Sequence, residues 1–310
     1  MNIVLALSML AMISQAGIET APVTNSRDAY PVVAPDGETL LFQSTRNGRW
    51  ALYTARPDGA GLKLLLDSGD DPVTPSWSPD GRQIAFAATI DGQSEIFIMD
   101  ADGTNRRRLT DDPGDDSHPH FGADARIYFN SARATPDRTA AWNRQWHEIF
   151  SMRADGSDLR QHTHCRTVCT FPSVSPDGRR LVYRKVVDTP GLNWDLSPGQ
   201  RNSEVFIADI DGANERNLTN HPAFDGWPVW SPDGAAVLFA SGRTGAANVG
   251  QLYLLDLETM RLAPVDDGSW SNAQPSFSPD GRWIYAYRHL EGGQGDSSYE
   301  FGFVARYPRP

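Results

Sequence analysis

The chain has 310 residues but only two cysteines, Cys165 and Cys169, so no disulfide framework can hold its fold. Positive charge is also scarce: 28 Lys and Arg stand against 39 Asp and Glu, a net charge of -11. That balance argues against nucleic acid or an anionic membrane surface as the main partner. The apolar, uncharged run from Met1 to Ala16 is too short to span a bilayer before the chain turns polar at Glu19. Ser14, Gln15 and Ala16 put small residues where a signal peptidase reads. Residues 1–16 are therefore expected to be a cleaved secretory signal, and the chain periplasmic or secreted without membrane insertion. No cysteine follows the run to carry a lipid anchor. Several chemistries lack their hallmarks too. There is no Gly-x-Ser-x-Gly elbow and no Gly-rich phosphate loop leading from strand to helix, and His147-Glu148 lacks the second histidine of a zinc-protease helix.

What the sequence does have is one turn, repeated. Pro79-Asp80-Gly81 stands between an aromatic approach and a β-prone exit (Ile84, Phe86), which reads as strand, tight turn, strand. Asp36, Asp80, Asp177, Asp233 and Asp280 all sit in Pro-Asp-Gly, and Ala123-Asp124-Ala125 is a degenerate copy. The six aspartates are 44, 44, 53, 56 and 47 residues apart. A strand-rich unit recurring at about 40–50 residues is the signature of a propeller blade. The fold class is therefore all-β, with residues 17–310 forming one six-bladed β-propeller.

Each repeat carries four strands. Strand a precedes the turn, and strand b follows it as an almost continuously apolar run, such as Leu181 to Tyr183 or Val237 to Phe239. Such runs suit sheets covered on both faces. Strand c reads Glu95 to Asp100 in the second repeat, and an Asp102-Gly103 turn leads to a short strand d around Leu109-Thr110. Blade 3 departs from the pattern: Asp124 to Phe129 is five positions where Asp80 to Phe86 is six, so its turn is expected to be one residue shorter. The last repeat has a strand c around Tyr299 to Val304 but no strand d. The segment Thr20 to Thr24 is expected to supply that outer strand, closing the ring of antiparallel blades and removing an exposed edge.

The unit Pro-x-aromatic-Ser-Pro-Asp-Gly followed by Glu-Ile/Val-Phe and, later, Asp-Gly and Leu-Thr resembles the WD40-like repeats of the TolB-type propeller family, best in 75–110 and 172–219. The resemblance covers nearly all of the chain after residue 16. It implies a propeller of the cell envelope that binds a partner. Strand a of blade 1 begins near Tyr30, so the α/β domain that precedes the propeller in TolB is expected to have no counterpart, and a stand-alone propeller is the expectation.

Propeller geometry places the a–b and c–d turns on one face and the b–c loops and d–a links on the other. The Asp-Gly turns are uniformly short, so their face reads as structural. The variation lies opposite, where blade 3 inserts residues 132–146 and blade 4 residues 186–202. Long loops on a rigid scaffold commonly carry binding. The candidate partner-binding residues are Trp142, Arg144, Trp146 and Trp194 from these insertions. The d–a links add Tyr30, Asp116, His118, Asp225, Trp227 and Trp270. The competing account is that the insertions are neutral decoration and the tryptophans pack on the blades.

His118-Pro119-His120 and His162-Thr163-His164-Cys165 invite a metal reading, but no tight carboxylate motif completes either, so no metal, cofactor or catalytic residue is assigned. Asp100-x-Asp102-Gly103-x-Asn105 and its copy at 209–214 lack the third ligand and the terminal glutamate of a calcium loop, and read as hairpin turns. Cys165 and Cys169 are left as either a disulfide or two free thiols. The function expected is a non-catalytic propeller recognising a protein or peptide partner in the cell envelope through the long-loop face. The alternative is a carbohydrate-active lyase or glycosidase, with a carbohydrate ligand and acid/base groups at the channel mouth.

Overall fold

The computed structural model describes residues 21–22, 27–137, 139–140, 145–187, 202–244, 250–266, 271–289 and 302–310. These residues form six four-stranded antiparallel sheets and no helix. Blade 1 runs Asp28–Val33, Leu40–Ser44, Ala51–Ala55 and Lys63–Leu66, the strands a to d of the repeat, and blades 2 to 5 follow the same order. In blade 6 the outer strand comes from the other end of the chain. Ala21–Pro22 pairs with Gly302–Pro308, with Ala21 opposite Arg306 and Pro22 opposite Ala305. The ring is therefore closed by the N-terminal segment, as expected. The inner partner of that pair extends to Pro308, opposite Trp283, beyond the stretch ending at Val304 that its apolar residues suggested.

No blade has a core of its own. The b and c strands bury both faces, and each apolar cluster is shared by two blades: Leu41 and Leu52 of blade 1 pack with Ile84, Phe86 and Met99 of blade 2. Tyr285 and Val304 of blade 6 meet Leu40 and Phe42 of blade 1, which completes the circle. This is why the b strands read as unbroken apolar runs.

The repeated polar residues hold the blades in shape. In the turn, Ser78 Oγ donates to Asp80 Oδ1 at 2.7 Å, and that carboxylate accepts the Arg82 N–H at 3.1 Å. Gly81 takes φ +70°, where a side chain would be strained. The hydroxyl and amide bonds hold the Asp80 carboxyl below its ordinary pKa. In blade 3 the hairpin closes from Gly122 N–H to Arg126 O, one residue sooner than from Ser78 N–H to Gln83 O, and Ala125 is left at φ +59°. The glutamate opening strand c binds the threonine ending strand d: Thr110 Oγ1 to Glu95 at 2.5 Å, Thr163 Oγ1 to Glu148 at 2.7 Å, and Thr219 Oγ1 to Glu204 at 2.5 Å. The calcium-like segments are hairpin turns in which Asn105 and Asn214, both at positive φ, donate to Asp100 and Asp209 at 2.6 Å. Cys165 and Cys169 are joined as a disulfide.

Candidate binding site in the central channel

The six inner strands each contain a residue followed by proline: Tyr30, Thr74, His118, Phe171, Trp227 and Gln274. Each proline lies four positions before the turn proline, or before Ala123 in blade 3. At every one of these pairs the register with strand b slips, between Ala29 and Val32 in blade 1 and between Gly226 and Val229 in blade 5, for example. The slip is a β-bulge, and it sets all six residues in the left-handed region, at φ between +50° and +58°. The residue before a proline ordinarily prefers extended backbone, and a β-branched residue such as Thr74 is rarely found at positive φ. One departure of this kind in each of six blades is a built feature. The proline placement has its own reason. Strand a is the inner edge of its sheet, and proline is tolerated at an edge because it has no N–H to offer a ladder.

The bulges turn these side chains toward one another across the channel. The rings of Tyr30 and His118 lie 6.0 Å apart, those of His118 and Phe171 4.3 Å apart edge to face, and those of Phe171 and Trp227 5.5 Å apart. Gln274 accepts the Tyr30 N–H at 3.2 Å, linking blade 6 to blade 1. From this ring a cavity of about 630 Å³ extends along the inner strands to the turn prolines Pro35, Pro79, Pro176, Pro232 and Pro279. Its volume falls within the range of about 300–1,000 Å³ typical of ligand sites. None of the residues lining it is Asp, Glu, Lys or Arg. The wall is proline, valine and aromatic faces, with serine and threonine hydroxyls and two histidines. Burial lowers the pKa of His118 to about 3 and that of His120 to about 4, so both are neutral at pH 7.

Of the ten residues singled out on sequence grounds, the structure brings Tyr30, His118 and Trp227 together in this ring. Asp116 and Asp225 lie fully buried behind it, each paired with an arginine from the end of strand b: Arg133 at 2.6 Å and Arg243 at 3.1 Å. Asp28 and Arg46 form the same pair in blade 1, and each of these arginines also stacks over two aromatic rings of its own blade. Trp146 is half-buried on the long-loop side, where its backbone N–H donates to Thr135 Oγ1 at 2.9 Å. Trp142, Arg144, Trp194 and Trp270 lie outside the described residues. Thr74, Phe171 and Gln274 were missed by residue type, although the proline four places before each turn marks them.

The two histidine clusters do not converge. His118 and His120 are on the inner strand of blade 3, whereas His162 is on its outer side and has both ring nitrogens engaged, by Ile210 O at 2.6 Å and Ser151 Oγ at 2.7 Å. Glu148, Cys165 and Cys169 do come together, but the sulfurs are bonded to each other and the carboxylate accepts from Thr163, the Cys165 N–H and the Arg166 N–H.

The fold and its channel define a six-bladed β-propeller with an uncharged, aromatic- and proline-lined bore. Residues 67–189 match the family described as the TolB beta propeller domain. A TolB homolog of Chlorobium luteolum is 29% identical over 142 residues, 36% of this chain and 32% of its own length. The match thus spans about a third of that curated relative. A solved structure assigned to the TolB type in Agrobacterium tumefaciens superposes at TM-score 0.64 with 20% identity, over 94% of this chain and 98% of that one. An oligogalacturonate lyase in complex with manganese superposes at TM-score 0.59 with 15% identity, over 96% and 94%. The chain is a six-bladed β-propeller that is similar to TolB-type propellers, most directly over residues 67–189.

Proposed function

We propose that this chain is an exported, non-catalytic propeller that binds a protein or peptide partner in the cell envelope. Its partner face is the one bearing the long b–c loops of blades 3 and 4, including Trp142, Arg144, Trp146 and Trp194, with Trp227 at the channel. The observation that carries the reading is the chemistry of the channel wall. A glycosidase needs a pair of carboxyl groups, and none of the described residues lining the cavity is Asp or Glu. The acidic residues nearest on sequence grounds, Asp116 and Asp225, are committed to buried arginine pairs. Similarity to TolB-type propellers over residues 67–189 and the apolar run at 1–16 support an envelope location.

The test is affinity capture from an envelope extract with the purified chain, beside an otherwise identical chain carrying Trp146→Ala and Trp194→Ala. The reading expects a specific protein that the substituted chain no longer retains. Turnover of an envelope or extracellular carbohydrate by the purified chain would overturn it.

A further inference from the structure

We propose that the Cys165–Cys169 disulfide is a redox-sensitive clamp on the bases of the two long loops, which a dithiol reductant opens without unfolding the propeller. The link between blades 3 and 4 is bonded to an end of each insertion. On the blade 3 side, the His147 N–H donates to Thr167 O and the Cys169 N–H donates to His147 O, both at 2.8 Å, with His147 and Val168 paired as a parallel bridge. His147 directly follows Trp146, whose backbone N–H is held by Thr135 Oγ1 across the base of the first insertion. On the blade 4 side, the Val186 N–H donates to Val168 O at 3.0 Å and Thr167 Oγ1 donates to Val186 O at 3.4 Å, where the second insertion begins. Thr167, Val168 and Cys169 all belong to the short loop that the disulfide closes.

The other blades show what this loop replaces. The tie to strand b is common to several of them, as in Ala132 N–H to Asp115 O and Gly242 N–H to Phe224 O. The tie to strand c is made differently. In blades 1 and 2 the amide at the start of strand c is held by an aspartate side chain of the next link: Trp50 N–H by Asp71 Oδ1 at 3.2 Å, and Ser94 N–H by Asp115 Oδ1 at 2.8 Å. Asp71 and Asp115 stand three places before Thr74 and His118; three places before Phe171 stands Val168, whose side chain has no acceptor. The main chain at Thr167 takes the bond instead, and the path that brings it there includes Arg166 at φ +53°. Glu148 holds the first half of that path, accepting from the Cys165 and Arg166 N–H groups at 2.8 and 2.7 Å. The disulfide closes the second half. A tie that elsewhere needs only a carboxylate thus depends, in this blade, on a bond with a redox state.

The bond is open to reduction for two reasons. It joins residues only four positions apart, so it adds little chain entropy to the fold, and because such coupling is reciprocal the fold adds equally little to the bond. Its Cys165 end is half-buried while Cys169 is fully buried, so a thiolate reaches it from the Cys165 side. One thiolate of the dithiol attacks Cys165 Sγ, forming a mixed disulfide and expelling Cys169 as a thiolate that takes a proton from water. The second thiol of the reductant, as thiolate, then attacks its own sulfur in the mixed disulfide. Cys165 is released and protonated, and the dithiol leaves as a disulfide, having given two electrons to the chain. The cores between blades are untouched, so the ring stands while the bases of both insertions loosen. The clamp does not rest on the partner reading above; only its consequence for a partner does.

The experiment measures amide hydrogen exchange on the purified chain, oxidised and after dithiothreitol, with thiol titration to follow the reduction. The proposal expects the His147, Cys169 and Val186 amides to exchange roughly 10-fold faster or more once the bond is reduced. The Trp50 and Ser94 amides, held by Asp71 and Asp115, should be unchanged, and the melting transition should stay cooperative. A Cys165→Ala, Cys169→Ala chain should reproduce the reduced pattern without reductant; Cys165→Ala alone opens the bond and keeps the buried sulfur if the double change disturbs the core. Three results would overturn the proposal. They are unchanged exchange at His147 and Val186 in the reduced chain, loss of protection at Ser94 as large as at His147, and a folded chain that resists dithiothreitol at concentrations that reduce the denatured one.

Discussion

His118 and His120 resist protonation because burial lowers their pKa values to about 3 and about 4, and Arg184 and His147 press on His118 in the same direction. In the unfolded chain both would titrate near 6.5. Below that pH the unfolded state takes up protons that the folded state refuses, so stability falls as pH drops from 6.5 toward 4. The slope is at most about 1.4 kcal/mol per pH unit for each histidine. Urea midpoints measured across this window should fall, and His118→Gln with His120→Gln should flatten the trend; an equally steep trend in the double variant would contradict the assignment. Ala125 offers a second residue-scale test. It occupies a left-handed position that glycine fills in the other turns, so Ala125→Gly should raise the urea midpoint by about 1 kcal/mol in stability. At this scale the sequence was readable by residue type and no further. Tyr30, His118 and Trp227 stood out as large polar aromatics, but Thr74, Phe171 and Gln274 share the same bulge. Local rules send a residue before proline into extended backbone, and only the paired strand b overrides them.

The strands were legible because their burial is two-sided and their turns have their own chemistry. Ser-Pro-Asp-Gly encodes a hydroxyl, a fixed φ, a carboxylate and a free φ in sequence order, and all four are used in the turn at Ser78 to Gly81. Strand c of blade 6 was ended too early, at Val304 rather than Pro308, because its register is fixed by Trp283–His289 across the sheet rather than by its own apolar residues. The Asp116 and Asp225 pairs were illegible for a similar reason, since their arginines lie at the end of strand b, 17 and 18 residues away. Whether the two cysteines pair depends on geometry across the link, which spacing alone leaves open. The bond closes a loop of only four residues' separation, so chain entropy gives it about 2 kcal/mol. Thiol titration of the unreduced, denatured chain should find no free thiol, and reduction should lower stability by about that amount. Two free thiols per chain would reject the bond.

Closure is a property of the whole ring, and it was readable because a missing strand d and a spare N-terminal strand could be counted. Removing residues 17–25 takes away Ala21–Pro22 and leaves the edge of Gly302–Pro308 unpaired. The melting temperature should then fall by several degrees and association should increase; an unchanged melting curve with monomeric elution would argue against closure by this segment. The ring also explains how binding and stability can be separated. Its main cores lie between blades, whereas Tyr30 and Trp227 at the channel pack against apolar clusters themselves, so a binding role is separable from stability at Trp146 and Trp194 rather than at those two. The most direct test of the binding account is to measure melting temperature and affinity for the captured partner on the same Trp146→Ala and Trp194→Ala chains. If these indoles anchor the partner, affinity should fall by about 2 kcal/mol or more while melting changes little. A fall in melting temperature with affinity unchanged would show that they pack on the blades instead, and would contradict the account.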